Sequence, residues 1–436
     1  MPDFDTSVAA LVLNFGEYPF HQGSLGVIRS LGSVGIPVFA IQRSRFIPSG
    51  ASRYLSGKFL WKSDGKNVAH FLEGLATIAK KLDRPTILVP TDDLSSILIA
   101  ENSHLLSSQF TFAQPPAELP RSLANKRSLY HTCRRLGIAC PATFFPESRE
   151  QLLDFAGAAR FPVIVKAIEP WLAPRGAKST AIVLSRQELL KYCVGPPGQD
   201  PIQSFMIQEM IPASVSVDWC VHGYCNKQSQ PIALFTGIKF RSYPAFAGPT
   251  TLGQAVRNDS LEQQTVELLG AIGYRGPLDM DYRFDKRDGR YYLLDFNPRL
   301  GAQFRLFRTA DGMDVVRTMH LDLTQRTPPI GRQVEGRKFV VEIQDLLASR
   351  VYIRNGALTF KEWYRSIRKI DETAWFRWDD PLPFLLLSLH LPWRALSRAR
   401  WLSILGRQPK TVPVRAEDTC PSKREAVAPK QPAIQR

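Results

Sequence analysis

Two neighbouring runs impose the strongest constraint on the fold of this 436-residue chain: an alternating run, 278–284, and an apolar run that ends in polar residues, 291–297. Side chains two residues apart on a β-strand point to the same face, so these runs predict two strands. Between them, Arg287-Asp288-Gly289 is typical of a three-residue hairpin loop with glycine in the left-handed conformation. We therefore predict an antiparallel hairpin.

The register of this hairpin predicts a metal site. If Lys286 pairs with Arg290, Asp281 lies opposite Asp295, and Asn297 points to the same face. Two carboxylates so close repel each other unless a cation lies between them. Mg²⁺ prefers oxygen ligands of this kind and completes its shell with phosphates and water, and Mn²⁺ is an alternative. The other interpretation, solvated acids on an edge hairpin, is less favourable because Asp295 follows an apolar run.

Five segments of the chain, taken together, resemble the ATP-grasp ligases and follow that family's order. Asp295-Phe296-Asn297-Pro298-Arg299 matches the acid-x-Asn-Pro-Arg end of the family's metal-binding hairpin. The segment 270–276 is similar to the helix end and glycine turn that precede it. Residues 125–138 resemble the family's early lysine helix. Residues 161–166 resemble the strand that carries a phosphate-binding lysine, and residues 207–212 resemble the adenine hinge.

The resemblance implies an ATP site with magnesium. It assigns Lys126 and Lys166 to the nucleotide, although a lysine extending from a strand end is the alternative for Lys166. Adenine would lie against the backbone and apolar side chains of the hinge, and Asp218 is the nearest carboxylate for the ribose. The hinge residues are Gln208, Glu209, Met210 and Ile211.

The phosphate flap departs from the family pattern. Where relatives carry a glycine-rich loop, residues 170–179 contain one glycine and two cations, Arg175 and Lys178. These side chains would bind phosphate by charge where relatives use backbone N–H groups. We therefore assign Lys178 to the nucleotide site.

Three cations are candidates for the chemistry itself. Arg299 follows the metal motif directly, and its planar guanidinium can bind a carboxylate or an acyl phosphate through two parallel hydrogen bonds. Lys239 and Arg241 belong to a Lys-x-Arg-x-x-Pro stretch that resembles the carboxylate-amine ligase subgroup containing D-aspartate ligase. On a regular strand they share one face, which suits an anionic ligand, and a solvated pair of edge cations is the equal alternative.

The resemblance implies a ligase that joins a small carboxylate to an amine. A carboxylate attacks the γ-phosphorus of ATP to form an acyl phosphate, and the amine then displaces phosphate. Two alternatives stay open: activation of bicarbonate or another small acid for carboxyl transfer, and a nucleotide-binding module on a membrane or polyanion without chemistry. None of the seven histidines lies in these motifs, and we expect no covalent enzyme intermediate.

The expected fold class is α/β, with α+β character in the nucleotide domain. Residues 1–120 predict a Rossmann-like substrate domain, with strands at 8–13, 38–41 and 87–90 and a helix at 24–34. Residues 121–330 would form the two-lobed ATP-grasp domain, with its small lobe at about 140–210. A partly helical extension, 331–408, and a disordered basic tail, 409–436, would follow.

Within the first domain, Thr91-Asp92-Asp93 follows a predicted strand at the edge where open α/β sheets collect ligands. Asp92 is therefore a candidate for substrate contact. An Asp in this position caps the following helix at least as often. The sequence leaves both roles open.

Charge bears on partners and location. The chain has a net charge of +16, of which +6 falls in residues 397–436, and we expect no nucleic-acid partner. The six cysteines form no metal-ligand pattern, and no long apolar segment is present, which favours a cytoplasmic enzyme. Arginines beside Trp393 and Trp401 make peripheral contact with an anionic membrane an alternative to simple packing of the extension. The sequence does not predict an oligomeric state.

Overall fold

The computed structural model of the chain describes residues 2–15, 21–62, 65–172, 180–193 and 201–390. These residues form three β-sheets with helices around them, which confirms the predicted α/β class. Within this part of the chain, no helix is both long enough and apolar enough to cross a membrane.

The first sheet is parallel and has the strand order β3-β2-β1-β4. Its strands are β1 (Ala9–Leu13), β2 (Val38–Gln42), β3 (Gly57–Leu60) and β4 (Thr86–Pro90). Alternate residues of β1 enter two different hydrophobic cores, so both faces of this strand are covered. The predicted strands at 8–13, 38–41 and 87–90 and the helix at 24–34 are confirmed.

Six helices accompany the first sheet and lead to the second: α1 (Gln22–Gly32), α2 (Val68–Leu82), α3 (Asp93–Glu101), α4 (Ser103–Leu106), α5 (Leu119–Ala124) and α6 (Lys126–Arg135). Asp92 caps α3, since its Oδ1 accepts a hydrogen bond from the Ser95 amide at 2.7 Å. Its Oδ2 accepts from the Phe15 amide. Of the two roles considered for Asp92, the structure shows the cap.

A small antiparallel sheet with strand order β5-β8-β6-β7 follows. Its strands are β5 (Thr143–Phe144), β6 (Val163–Ala167), β7 (Thr180–Val183) and β8 (Phe205–Glu209). Helices α7 (Arg149–Ala158) and α8 (Arg186–Cys193) cover one face and bury Leu152 and Leu189 against it. Lys166 thus lies on β6, and the hinge begins at the end of β8.

The third sheet has seven strands, in the order β13-β12-β9-β10-β11-β14-β15. The strands are β9 (Ser216–Cys225), β10 (Pro231–Ser242), β11 (Thr250–Ala255), β12 (Gly276–Asp285), β13 (Arg290–Asn297), β14 (Lys338–Val340) and β15 (Glu372–Thr373). The helices in this region are α9 (Asp259–Ile272), α10 (Val315–Leu323), α11 (Glu342–Arg354) and α12 (Phe360–Ser366). Gly273 ends α9 in the left-handed conformation, at φ 63°.

The predicted hairpin is present as β12 and β13, with one difference at each end of its register. The loop is one residue longer than predicted, because Asp285, not Lys286, pairs with Arg290. An irregularity between Asp281 and Tyr282 then leaves Leu294 as an extra residue on β13. The bulge compensates for the longer loop, so Asp281 still pairs with Asp295, as predicted.

The carboxyl-terminal part of the described chain returns to the first sheet. Strands β14 and β15 extend the large sheet, and the Trp375 side chain is buried in the core shared with α1. The buried Arg29 guanidinium donates from Nε to Asp380 Oδ2 at 2.8 Å, and Ser52 Oγ donates to the same oxygen at 2.7 Å. A last helix spans residues 382–390. The rest of the predicted extension and the predicted disordered tail lie outside the described residues.

The carboxyl edge of the first sheet faces the loop that follows β13. Ser96 Oγ donates to the Pro298 carbonyl, and the Leu300 amide donates to the Pro90 carbonyl at 3.4 Å. At the start of α1, a side chain at Gly23 would lie 3.1 Å from the backbone of Ala302. The edge at which parallel sheets collect ligands is therefore packed against the residues that follow the predicted metal motif.

Candidate active site

The site is built around two carboxylates on facing strands. Asp281 of β12 pairs directly with Asp295 of β13, and both side chains stay partly accessible. Burial raises the pKa of Asp281, and the nearby negative charges of Asp279 and Asp295 raise it further. A cation placed between the two carboxylates would therefore stabilise their charged forms. A divalent ion requires oxygen ligands in this arrangement.

Asn297 completes the oxygen set but lies deeper. It pairs with Asp279 across the hairpin, and its Nδ2 donates to the Asp279 backbone carbonyl at 3.1 Å. This bond holds the amide so that its side-chain oxygen is the atom left to accept a ligand. Among the described residues, no group of three or more His, Cys, Asp or Glu side chains is arranged to hold a metal. Two carboxylates and one carboxamide instead fit Mg²⁺ that takes its other ligands from phosphate and water.

Two lysines from other elements reach the Asp295 side of the pair. Lys126 begins α6, where Asn125 caps the helix, and its Nζ forms a salt bridge with Asp295 Oδ1. Lys166 extends from β6, and its Nζ donates to the Leu294 carbonyl at 3.1 Å. Leu294 is the bulged residue, so the carbonyl that receives Lys166 belongs to the irregular step of β13.

Burial dominates the electrostatics of these lysines. It lowers the pKa of Lys166 to about 8, with the Lys126 charge acting in the same direction and Asp295 opposing both. For Asp295, burial disfavours the charged form, but Lys126 and Lys166 lower its pKa below the usual value. Two ammonium groups beside one carboxylate leave an excess of positive charge, which suits phosphate groups.

Lys239 occupies the Asp281 side. It projects from β10, and its Nζ lies 3.0 Å from Asp281 Oδ1. Burial disfavours its charge, but Asp281 and Asp218 raise its pKa above the usual value. The predicted cation is therefore a neighbour of the acid pair.

Arg241 does not lie beside the acid pair with Lys239. Between Lys239 and Arg241 the pairing of β10 with β11 shifts, so the two side chains do not follow the regular alternation that the sequence suggested. Arg241 is buried, with Nε and Nη2 each 2.8 Å from an Asp345 oxygen on α11 and Nη1 2.8 Å from Ser366 Oγ. We correct the expected pairing with Lys239 accordingly: Arg241 attaches α11 and α12 to the large sheet.

Arg299 is held on both sides by carboxylates. Its Nη1 donates to Asp279 Oδ2 at 2.6 Å, and its Nε lies 3.3 Å from Asp93 Oδ1. Burial opposes the charge, but Asp93 and Asp279 raise the pKa of Arg299 above its usual value. The guanidinium is thus permanently charged and fixed in orientation at the end of the acid pair.

Two histidines lie beyond this arginine. His222 of β9 is fully buried, with Nε2 3.3 Å from Asp279 Oδ1, and burial lowers its pKa. Burial, with the Arg299 charge adding to it, lowers the pKa of His21 to about 3. Both rings are therefore neutral near pH 7. They form an uncharged wall behind Asp279 and Arg299.

The predicted hinge is tied to the large sheet through Arg283. This side chain donates to the Ile211 carbonyl at 2.9 Å and forms two bonds with Asp218, of 2.6 and 2.9 Å. Burial disfavours the charge of Asp218, but Arg283 lowers its pKa below the usual value. Asp218 thus lies next to the hinge with both oxygens engaged by Arg283.

The remaining hinge residues face in different directions. The Gln208 side chain is buried and donates to Thr143 Oγ1 at 3.0 Å, so it stabilises the small sheet. Glu209 is exposed, and its amide donates to the Ala142 carbonyl at 2.8 Å. Met210 is half-buried and Ile211 buried. These apolar side chains are those available as walls of a pocket.

The two cations predicted for the phosphate flap, Lys178 and Arg175, lie outside the described residues. Arg305, six residues after Arg299, is buried and binds Glu372 at 2.9 Å and the carbonyls of Thr373 and Ala374. It therefore holds β15 in place.

Sequence reasoning missed Asp93, His21, His222 and the partnership of Asp279 with Arg299. A signal existed only for Asp279, which precedes Asp281 by two residues on the same strand. The contact of Asp93 with Arg299 joins residues about 200 positions apart, and no local pattern encodes it.

Comparisons with known proteins agree with this geometry. The profile of the family described as the carbamoyl-phosphate synthase L chain, ATP binding domain, matches residues 245–323, which include the acid pair and Arg299. D-aspartate ligase of Enterococcus faecium is 25% identical over 278 residues, which cover 59% of this chain and 64% of the ligase. The chain therefore spans slightly less than two thirds of that relative.

Solved structures share the fold. N5-carboxyaminoimidazole synthetase from Staphylococcus aureus, solved with ADP, is 10% identical, with a TM-score of 0.57 over 80% of this chain and 87% of the synthetase. Biotin carboxylase from Campylobacter jejuni is 14% identical, with a TM-score of 0.54 over 74% of this chain and 72% of the carboxylase. At such low identity these structures support the architecture alone. Taken with the family match over residues 245–323 and the D-aspartate ligase relative, they support the resemblance of this chain to the ATP-grasp ligases.

Proposed function

We propose that the protein is an ATP-dependent ligase that joins a carboxylate to an amine through an acyl phosphate and releases ADP and phosphate. The observation that carries this proposal is the Asp281–Asp295 pair, flanked by Lys126, Lys166 and Lys239 and followed by the clamped Arg299. This site places four cations beside two adjacent acids, with Arg299 held by two further carboxylates, and such an arrangement suits a metal-bound triphosphate.

Mg²⁺ would be held by Asp281, Asp295 and Asn297, and Mn²⁺ is a substitute with similar ligand preferences. When bound, it would neutralise phosphate charge. Lys126 and Lys166 would contact the phosphates, with Lys178 a further candidate. Adenine would lie at the hinge, between the backbone of Glu209 and Met210 and the side chain of Ile211. Asp218 would lie nearest the ribose.

The residues of the chain act mainly by position and charge. In the first step, a substrate carboxylate oxygen bonds to the γ-phosphorus while the bond from that phosphorus to the β–γ bridging oxygen breaks, and ADP leaves. Both partners are anionic, so the reaction needs cations along the line of attack. Arg299 has a fixed orientation and a permanent charge, which lets it stabilise the transferring group without reorganising.

In the second step, the amine nitrogen bonds to the acyl carbon, phosphate leaves, and the nitrogen loses a proton. An acyl phosphate hydrolyses in water, so the site must be covered while it exists. Lys239, placed on the opposite side of the acid pair from Lys126, would hold the carboxylate substrate during both steps.

A coupled screen tests the proposal. Small carboxylic acids are crossed with amines in the presence of ATP and Mg²⁺, and ADP and phosphate are measured for the wild type and for Asp295→Asn. We expect ADP to form at least tenfold faster when the correct acid and amine are both present, and not with the variant.

Three outcomes contradict it. Rapid turnover with bicarbonate alone, independent of any amine, would indicate carboxyl transfer. Calorimetry that finds no uptake of ATP with Mg²⁺ would remove the enzyme assignment altogether. Full activity of Asp295→Asn would refute the metal assignment.

A further inference from the structure

The last described helix carries an exposed apolar face. Leu382, Leu385 and Leu389 lie three and four residues apart, on one side of the 382–390 helix, and are 55%, 51% and 71% exposed. Trp378, just before the helix, is 88% exposed. We call these four side chains the leucine face. Single exposed leucines are ordinary on a protein surface, but an aligned row beside an exposed tryptophan is not.

The opposite side of this helix fixes it to the protein. Leu387 is 4% exposed and belongs to the core that also contains Trp375, and Phe384 packs against the same core. Phe376 and Phe384 make an edge contact, with ring centroids 5.6 Å apart. Because the helix is anchored through these residues, it cannot rotate to bury the leucine face.

The preceding helices of the extension also expose apolar side chains, and they add positive charge. Leu346, Val351, Phe360 and Tyr364 of α11 and α12 are exposed. The exposed charged residues of segment 342–369 are six cations and one acid, Glu362, which closes the capping box of α12. The six cations are Arg350, Arg354, Lys361, Arg365, Arg368 and Lys369.

The sequence that follows the leucine face has the same character. Residues 391–436 contain ten Lys or Arg and three acids. Their first part interleaves arginines with large apolar residues: Leu391, Trp393, Arg394, Leu396, Arg398, Arg400, Trp401 and Leu402. Apolar side chains with arginine and tryptophan next to them are the composition that binds at the headgroup boundary of a bilayer.

We propose that the leucine face docks on an anionic phospholipid membrane, with the exposed cations of segment 342–369 drawing the protein to that surface. Leucine, tryptophan and arginine supply the two terms that such binding needs, burial of apolar area and attraction to acidic headgroups. A nucleic acid would use the charge but gain little from aliphatic leucines, since bases stack on aromatic rings. A second copy of the chain would bring like charges together. The proposal does not depend on the ligase reaction.

Vesicle co-sedimentation of the full chain tests it. Vesicles of phosphatidylcholine alone are compared with vesicles that also contain phosphatidylserine, at low and high salt. The wild type should sediment with the acidic vesicles and detach as salt rises. The triple variant Leu382→Glu, Leu385→Glu, Leu389→Glu should bind at least tenfold more weakly. It should unfold at the wild-type temperature, because the replaced side chains are more than half exposed.

A matched control replaces three other exposed aliphatic residues, two leucines and a valine, by Glu. Leu60, Val68 and Leu105 are 48%, 41% and 48% exposed in the first part of the chain, and their replacement by Glu should leave binding within twofold of the wild type. Trp378→Ser should weaken binding on its own without adding negative charge.

The proposal is overturned if the wild type does not bind acidic vesicles. That result is expected if residues 391–436 cover the leucine face. It is also overturned if the triple variant binds as well as the matched control. Wild-type self-association that the triple variant loses, without vesicle binding, would assign the face to a second copy instead. Turnover of ATP should be the same in all these proteins, which separates this test from that of the ligase proposal.

Discussion

Asp93 Oδ1 lies 3.3 Å from Arg299 Nε, and this contact joins the first residue of α3 to the arginine that follows the metal motif. Asp279 holds the same guanidinium from the other side, at 2.6 Å. The first sheet and its helices therefore supply one of the two carboxylates that orient Arg299. Asp93, which the sequence analysis gave no role of its own, thus helps to position the proposed reactive centre.

Asp93→Asn should lower kcat by about 10- to 100-fold, because a small displacement of a positioning group is costly in the transition state. The KM for ATP should change less than kcat, since the ion pair that Asp93 forms is with Arg299 and not with Lys126 or Lys166. Steady-state kinetics with the substrates found by the screen would measure this. Asp259→Asn is the control, because Asp259 is also an acid in the first turn of a helix but is exposed and pairs only with Arg257 among described contacts. Equal kcat values for the two variants would contradict a role for Asp93.

Asp281→Asn should raise the Mg²⁺ concentration needed for half-maximal activity by at least about tenfold and lower the maximal rate, because one of two carboxylate ligands is neutralised. A magnesium titration at saturating ATP measures both effects. Asp288→Asn, in the loop of the same hairpin, should behave as the wild type. If Asp281→Asn kept the wild-type magnesium requirement, the proposed ligand set would be wrong.

Lys166→Met should increase the KM for ATP by about tenfold or more, since removal of a charged phosphate contact costs about 1.5–3 kcal/mol. The methionine nearly preserves the shape of the stem, so the fold should tolerate it. Nucleotide binding measured by calorimetry checks this directly. Unchanged ATP affinity would support the alternative in which the lysine only caps the Leu294 carbonyl.

Arg241→Leu should destabilise the protein by about 3–5 kcal/mol, because it leaves the Asp345 carboxylate buried without its partner. Replacing both residues, Arg241→Leu with Asp345→Leu, should recover much of that loss. Urea denaturation of the single and double variants measures the difference. A catalytic Arg241 would instead lower kcat in the double variant while its stability was restored, and that result would contradict the structural role.

The stability of the protein should fall as pH drops below about 6.5. Burial lowers the pKa of His320, so in this range the unfolded chain takes up a proton that the folded chain does not bind. The slope for one such group is at most about 1.4 kcal/mol per pH unit. Denaturation at several pH values should show a smaller slope for His320→Gln, while His104→Gln, at an exposed position, should keep the wild-type slope.

The hairpin shows how far local patterns determine the site. The alternation of side chains and the glycine turn predicted that Asp281 lies opposite Asp295, and the structure confirms this pairing. The loop was assumed to be one residue shorter than it is. The bulged residue that restores the register, Leu294, offers its carbonyl to Lys166, 128 positions away, and no local pattern encodes that contact. The same kind of irregularity separated Lys239 from Arg241, where regular alternation predicted a common face.

Contacts between distant segments could not be predicted from the sequence. The partners of Arg299, Arg241 and Arg305 are acids 206, 104 and 67 positions away along the chain, counted from Asp93, Asp345 and Glu372. Each of these acids is unremarkable in its local context. The packing of the sheets against one another decides whether such an arginine takes part in a reaction or stabilises the fold.

The ion pair of Arg29 with Asp380 has a consequence for synthesis. Asp380 supplies the carboxylate, and the Trp375 carbonyl accepts a second hydrogen bond from the Arg29 guanidinium. Both residues emerge from the ribosome some 350 residues after Arg29. Until then, α1 carries a charge that its final packing would bury alone. The first sheet and α1 can therefore reach their final packing only after Asp380 has been translated, and a product cut short before residue 380 should remain a target for proteolysis.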